Sequence, residues 1–217
     1  FSTNKIKIAE DGEILIKGEN VMIGYWNKEK ETREMIKNNW LHTGDIGEID
    51  SEGFLKITDR KKEIFKTSGG KNIAPIPIES WIKENLSPIV SQAIVIGDKQ
   101  KYLSCFLSFK VVVDRDNNDM PTNALTPEAV EWCRSVGSNA TKVTDILNGP
   151  DAAALNGIQA GIDKANKASI SRASVVQKWT VLPLDISLPT GELGPTLKLK
   201  RFAFNKKYDH AIERLYA

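Results

Sequence analysis

Cysteine and histidine are scarce in this chain of 217 residues, two of each. Cys105 falls in a strand-like run and Cys133 in a helix-like one. Neither has a second Cys or a His at the spacing of a metal ligand set, so nothing points to a zinc or disulfide framework. Both read as buried thiols in a reducing compartment. His42 and His210 have no partner that the sequence can supply and read as structural. An excess of one charge is lacking too: 30 basic residues against 28 acidic ones leave a net +2. Any anion-binding site must therefore be local. No apolar run approaches the ~18–20 residues that span a bilayer. No charged-then-apolar leader opens the chain, and no internal repeat is visible. An initiating Met is absent as well. The chain enters at "FSTNKIKIAEDGEILIKG", already alternating like a strand, which reads as a piece cut from a longer polypeptide.

What is present is an ordinary globular balance, 41% hydrophobic and 27% charged, enough for one large or two small domains. Residues 1–59 read as mostly β. Ile6 and Ile8 alternate, then Ile14 and Ile16, with Asp11-Gly12 as a hairpin turn between them. "NKEKETREMIKNN" predicts a short helix capped by Asn27, with Met35-Ile36 as its buried edge. "WLHTGDIGEID" and "GFLKITD" predict a second hairpin around Ser51-Glu52-Gly53.

The pattern changes between Arg60 and Lys62, and this divides the chain into domains 1–60 and 61–217. "EIFKT" and "NIAP" flank Gly69-Gly70. "PIESWIKENL" places Ile78, Trp81, Ile82 and Leu86 on one helical face, with Pro77 at the start. "VSQAIVIGD" and "YLSCFLSFKVVV" are strong strands, and "DRDNNDMPTN" reads as a loop. Helices follow over "TPEAVEWCRSV" and "DAAALNGIQAGIDKANKAS", the second with Leu155, Ile158, Ile162 and Ala165 on one face behind Pro150-Asp151. "VVQKWTVLP" is a further strand. The chain closes with a Gly/Pro-rich loop, "LPTGELGPTLKLKR", and an amphipathic helix carrying Phe204, Tyr208, Ile212 and Leu215. The second part is thus a small α/β unit.

Four clusters carry chemistry. Thr43-Gly44-Asp45 is either a hairpin corner, where Asp and Gly are common, or a carboxylate offered to a ribose diol, a role Asp plays in dinucleotide sites. Arg60-Lys61-Lys62 is either a solvated basic face or, at a strand end and domain boundary, a phosphate- or ribose-binding fork. "KTSGGK" is no Walker loop, because its spacing is wrong, yet two adjacent glycines admit close backbone approach. Lys198, Lys200 and Arg201 form either a basic helix entrance or a lysine carried by a loop into an active site.

In this order the residues resemble the long-chain acyl-CoA synthetases of the adenylate-forming superfamily. The carriers are "GYW", "WLHTGDIGEIDSEGFLKITDRKKEIFK", "GGKNIAPIPIE" and the lysine loop. "EWCRSVGSNATKVTDI" and "QKWTVLPLDIS" with the closing "KKYDHAIERLY" are similar to the bubblegum-type branch, although "DRKKEIFKTSGG" is nearer the general long-chain form. The fold implied is α/β (α+β): the β-rich end of a large nucleotide-binding domain, then a small mobile domain with a mixed or antiparallel sheet and flanking helices.

The activity implied is ATP-dependent ligation of a fatty acid to coenzyme A through an acyl-adenylate. The small domain turns between the two half-reactions. By position, Asp45 would hold the ribose hydroxyls and Arg60 the ribose or phosphate. Lys62 would be the hinge. Lys66, with Gly69 and Gly70, would line the pantetheine path. Lys198 would serve adenylation, with Lys200 as its rival two residues on. No residue here is implied as a metal ligand; Mg2+ accompanying ATP would be held by an N-terminal part outside this sequence, with the phosphate loop and the fatty-acid tunnel. The fragment alone would be inactive. The whole protein is expected inside the cell, in the cytoplasm or peripherally on membranes. Two other readings stay open. One is a related ligase for another carboxylic acid or a carrier-protein acceptor. The other is a non-catalytic basic module, but the basic clusters lack the interleaved aromatics that nucleic-acid binding needs.

Overall fold

The computed structural model describes residues 4–149, 151–169 and 171–217. It is a mixed α/β chain that separates into two compact units, one ending at Phe65 and the other running Lys66–Ala217.

In the first unit, β1 (Lys5–Ile8) and β2 (Glu13–Lys17) form the expected hairpin, with Ile6 opposite Ile16 and Ile8 opposite Ile14. α1 (Glu29–Met35) is shorter than predicted. Asn27 does not cap it: its φ is 53°, and the cap position falls on Lys28 without a side-chain bond. β3 (Ile36–Lys37), β4 (Trp40–Ile49) and β5 (Leu55–Arg60) follow. β2, β3 and β5 each pair antiparallel with β4, which becomes the spine of a five-stranded sheet. The predicted turn before β5 is tied by Asp50, whose carboxylate accepts the N–H groups of Glu52 and Phe54 at 3.0 and 2.8 Å. Among the described residues of this unit, Ile14 and Leu15 are the buried apolar side chains, while Ile23, Trp26, Phe54 and Ile57 stand exposed.

The division falls inside β6 (Phe65–Lys66), which pairs with β7 (Asn72–Ile73). α2 (Pro75–Asn85) begins at Pro75, two residues before the predicted start at Pro77. The first four N–H groups of a helix have no intrahelical acceptor, so a second proline in the first turn breaks no bond. Ile78, Ile82 and Leu86 are buried as the periodicity predicts. β8 (Val90–Ile96) and β9 (Leu103–Phe109) are antiparallel, and all seven residues of β9 are buried.

The predicted strand over Tyr102–Val113 breaks at Lys110, whose N–H turns to Ile89 at 2.8 Å. It resumes as β10 (Val111–Asp114), paired with β11 (Met120–Leu125). The stretch read as a loop is therefore a reversal closed by Asn118 and Asp119 at φ 53° and 54°, and half of it is strand. Pro121 concealed β11, since proline survives only in strands with a free edge.

α3 (Pro127–Ser135) is capped by the Thr126 hydroxyl. α4 (Val143–Leu147) was not predicted. α5 (Ala152–Asn166) is capped by Asp151, and Pro150 of the predicted start lies outside the described residues. β12 (Val176–Val181) joins β9 in parallel and completes a mixed sheet of order β12-β9-β8. The single closing helix of the sequence reading is two, α6 (Arg201–Lys207) and α7 (Asp209–Tyr216), broken at Tyr208. Phe204 meets Phe106 edge-on at 5.5 Å, in a core shared with Ile94, Leu182, Ile186 and Leu193. No helix among the described residues is long and apolar enough to cross a membrane.

Candidate functional site

Thr43-Gly44-Asp45 is not a hairpin corner. It lies inside β4, where the register against β2 advances from Glu13 to Leu15 on one strand but from Ile46 back to His42 on the other. Two extra residues are thus accommodated as a bulge, with Gly44 at φ 73°, a conformation that glycine adopts without a Cβ penalty. Bulges re-aim side chains and occur beside active sites. The Thr43 hydroxyl pins this one by donating to the Ile14 carbonyl at 2.8 Å and accepting the Asp45 N–H at 3.1 Å.

Asp45 is cross-strand neighbour to Arg60, so two of the predicted residues come together. The Arg60 Nε–H donates to Asp45 Oδ1 at 3.1 Å. The second carboxylate oxygen of Asp45 has no partner among the described residues. Arg60-Lys61-Lys62 is not a uniform basic face. Lys61 bridges Asp11 at 2.6 Å and the buried Glu13 at 2.9 Å, and those bonds raise its pKa. Lys62 is exposed and has no partner among the described residues.

Sequence reasoning missed Glu13. Burial pushes its carboxyl up, but bonds from His42, Lys61 and the Gly44 N–H outweigh that and hold it below its ordinary range. His42, which had no nameable partner, meets Glu13 through Nδ1 at 2.9 Å. The only signal was position: a carboxylate opening an alternating strand, beside Ile14.

In the second unit, Gly69 and Gly70 are exposed in a turn closed by Gly70 N–H to Thr67 O at 2.9 Å. Gly70 has φ 77°, and nothing lies within 4 Å of where its Cβ would be. Lys66 is exposed beside this turn, its carbonyl accepting the Lys99 N–H at 2.7 Å. Lys198 and Lys200 sit on one arm of a narrow hairpin. Leu193 bridges Leu199, Gly194 N–H reaches the Lys198 carbonyl at 2.8 Å, and Lys200 N–H reaches the Glu192 carbonyl at 2.7 Å. Leu199 turns inward and the two lysines flank it, both exposed. Glu192 is buried and anchors the loop to α6 through Lys207 at 2.6 Å and the Tyr208 hydroxyl at 2.9 Å. Cys105 and Cys133 are free and buried, and burial raises the pKa of both thiols. Among the described residues no group of three or more His, Cys, Asp or Glu could hold a metal ion.

A family model described as the AMP-binding enzyme C-terminal domain matches residues 62–143. The chain is 48% identical over 94% of its length to the long-chain-fatty-acid–CoA ligase ACSBG2 of Xenopus laevis and spans 28% of that protein. It is 45% identical, with the same two coverages of 94% and 28%, to ACSBG1 of Bos taurus. It thus spans little more than a quarter of the length of the curated relatives it matches. Its fold is like that of the adenylation domain of a carboxylate reductase from Mycobacterium chelonae, with TM-score 0.71, 22% identity, and coverage of 98% of this chain and 30% of that one. Residues 62–143 thus match the C-terminal domain of the AMP-binding enzymes, and the chain as a whole is similar to the bubblegum-type long-chain-fatty-acid–CoA ligases.

Proposed function

We propose that this chain supplies the C-terminal part of an AMP-forming long-chain fatty acid:CoA ligase. In the first half-reaction a fatty acid carboxylate attacks the α-phosphate of ATP and pyrophosphate leaves. In the second, the thiol of coenzyme A attacks the acyl carbonyl, and AMP leaves. The observation that carries the reading is the cross-strand placing of Asp45, beside the bulge of β4, against Arg60 on β5, in a chain 48% identical to a ligase so named. A carboxylate with a free oxygen suits a ribose diol, and a guanidinium fork suits phosphate or ribose oxygens. An exposed ion pair is worth only about 0.2–1 kcal/mol, so an arriving nucleotide can replace it.

The other roles rest on sequence position. Lys198, with Lys200 as rival, would bring positive charge to the carboxylate and α-phosphate in the adenylating pose. Lys66, Gly69 and Gly70 would line the pantetheine path in the other pose, and Lys62 would be the pivot. Residues 1–60 would be the end of a larger nucleotide-binding domain, a reading supported by exposed Ile23, Trp26, Phe54 and Ile57. Residues 61–217 would be the domain that turns. Magnesium would be held outside this chain, which on its own would not turn over. The whole protein would act inside the cell on ATP, fatty acid and coenzyme A, touching membranes at most peripherally.

The test uses the complete polypeptide that carries this chain. Asp45→Ala is expected to weaken ATP binding about ten- to a hundredfold, the scale of a hydrogen bond to a charged group. Lys198→Ala is expected to slow acyl-adenylate formation by at least about a hundredfold while still joining pre-made acyl-adenylate to coenzyme A. Unchanged nucleotide affinity in the first variant would reduce the bulge to a structural feature. Normal adenylation in the second, with failure in Lys200→Ala, would move the role two residues along.

A further inference from the structure

We propose that Glu13 is a positioning residue for the nucleotide site, locking the bulge that carries Asp45 to the strand end that carries Arg60. The inference rests on the nucleotide reading of those two residues. Glu13 opens β2 and is 4% exposed. Its Oε1 accepts the Gly44 N–H at 2.9 Å, and its Oε2 meets Lys61 Nζ and His42 Nδ1, each at 2.9 Å. Gly44 immediately precedes Asp45, and Lys61 immediately follows Arg60. The loop of contacts is closed by the backbone, for the Lys61 N–H donates to the Gly44 carbonyl at 2.8 Å. One carboxylate therefore fixes both neighbours of the candidate ligand pair.

The bulge explains why a carboxylate is needed there. An inserted residue drops out of the ladder, and its buried N–H must find another acceptor. The carboxylate of Glu13 serves the Gly44 N–H, and its second oxygen is then available to hold a cation. A buried charge is costly unless paired. Lys61 supplies the pairing, His42 adds a contact, and Asp11 holds Lys61 from its outer side. Lys61 is thus tied to the β-rich unit by both backbone and side chain.

The experiment compares Glu13→Gln, Lys61→Met, the double variant and Asp45→Ala in the complete polypeptide. It measures ATP affinity, kcat at saturating ATP, and thermal unfolding. Glu13→Gln keeps an acceptor for the Gly44 N–H but turns an uncharged amide toward Lys61. It is expected to weaken ATP binding about tenfold with kcat little changed, and removal of both charges in the double variant should recover most of that loss. Lys61→Met changes a half-exposed side chain, and it serves as the test where Glu13→Gln does not fold, with a severalfold loss expected. A folded Glu13→Gln or Lys61→Met that merely unfolds earlier, with ATP affinity intact while Asp45→Ala loses it, overturns the proposal. Normal ATP affinity in Asp45→Ala overturns the nucleotide reading itself, and this inference with it.

Discussion

Glu13 opens β2 and Asp185 lies in the loop after β12, and their surroundings shift the two carboxylates in opposite directions. Burial raises the pKa of Asp185 above its ordinary 3.8, against bonds from Ser108 and Ser91. Glu13 lies below its ordinary 4.5, its bonds outweighing burial. For Asp185 the folded value is the higher one, so its stabilising contribution is present below 3.8 and lost as pH rises through the folded value. For Glu13 the contribution is present above 4.5 and lost as pH falls through the folded value. Relative to the parent, Asp185→Asn should therefore gain stability as pH rises through the acid range, and Glu13→Gln should lose it. Chemical denaturation between about pH 3 and 7 measures both slopes, and slopes of equal sign would contradict the assignment. Asp45, Arg60 and the lysines could be named from short motifs, because each sits among residues adjacent in sequence. Glu13 could not, since His42 and Lys61 lie 29 and 48 positions away. Lys198 and Lys200 are two apart on an extended arm and share a face, so neither periodicity nor geometry separates them.

The contact between α2 and α5 depends on a missing side chain. A Cβ on Gly161 would lie 2.3 Å from Leu86 Cδ2 and 2.6 Å from its Cγ, and Leu86 is itself fully enclosed. Alanine gains roughly 1 kcal/mol in helix propensity over glycine, but overpacking a filled core costs about 1–3 kcal/mol. Gly161→Ala should thus lose up to about 2 kcal/mol, read as a lower urea midpoint. A midpoint at or above the parent's would show that the two helices part freely. At this scale the legible elements were those with their own periodicity: the β1–β2 hairpin, α2, β8, β9 and α5. The rest depended on distant groups. β11 is a strand because β10 lies beside it, despite Pro121. The bulge in β4 exists only in register with β2. The last helix breaks at Tyr208 although neither Gly nor Pro marks the place, and that side chain is bonded to Glu192, 16 positions earlier.

For the whole molecule the proposed rotation must be absorbed by few torsions. Lys61 is tied down, the compact division comes at Phe65, and Glu63 N–H already bonds Arg60 O at 2.8 Å. Lys62→Pro, which fixes φ near −65°, should leave one pose reachable. Acyl-adenylate should then form at a near-normal rate while thioester formation fails, the reverse of the Lys198→Ala pattern. Equal slowing of both steps in a folded protein would place the pivot elsewhere between Asp59 and Phe65. The parallel pairing of β12 with β9 bears on how such a chain is made. Val176 pairs with Leu103, 73 residues earlier. A ribosome adding about 5–20 residues per second needs roughly 4–15 seconds to cover that span. Throughout that interval β9, every residue of which is buried in the finished sheet, has one bare edge. A nascent chain stalled before Val176 would offer that apolar strand to its neighbours on the polysome, and early termination there should leave aggregates rather than a soluble shorter product.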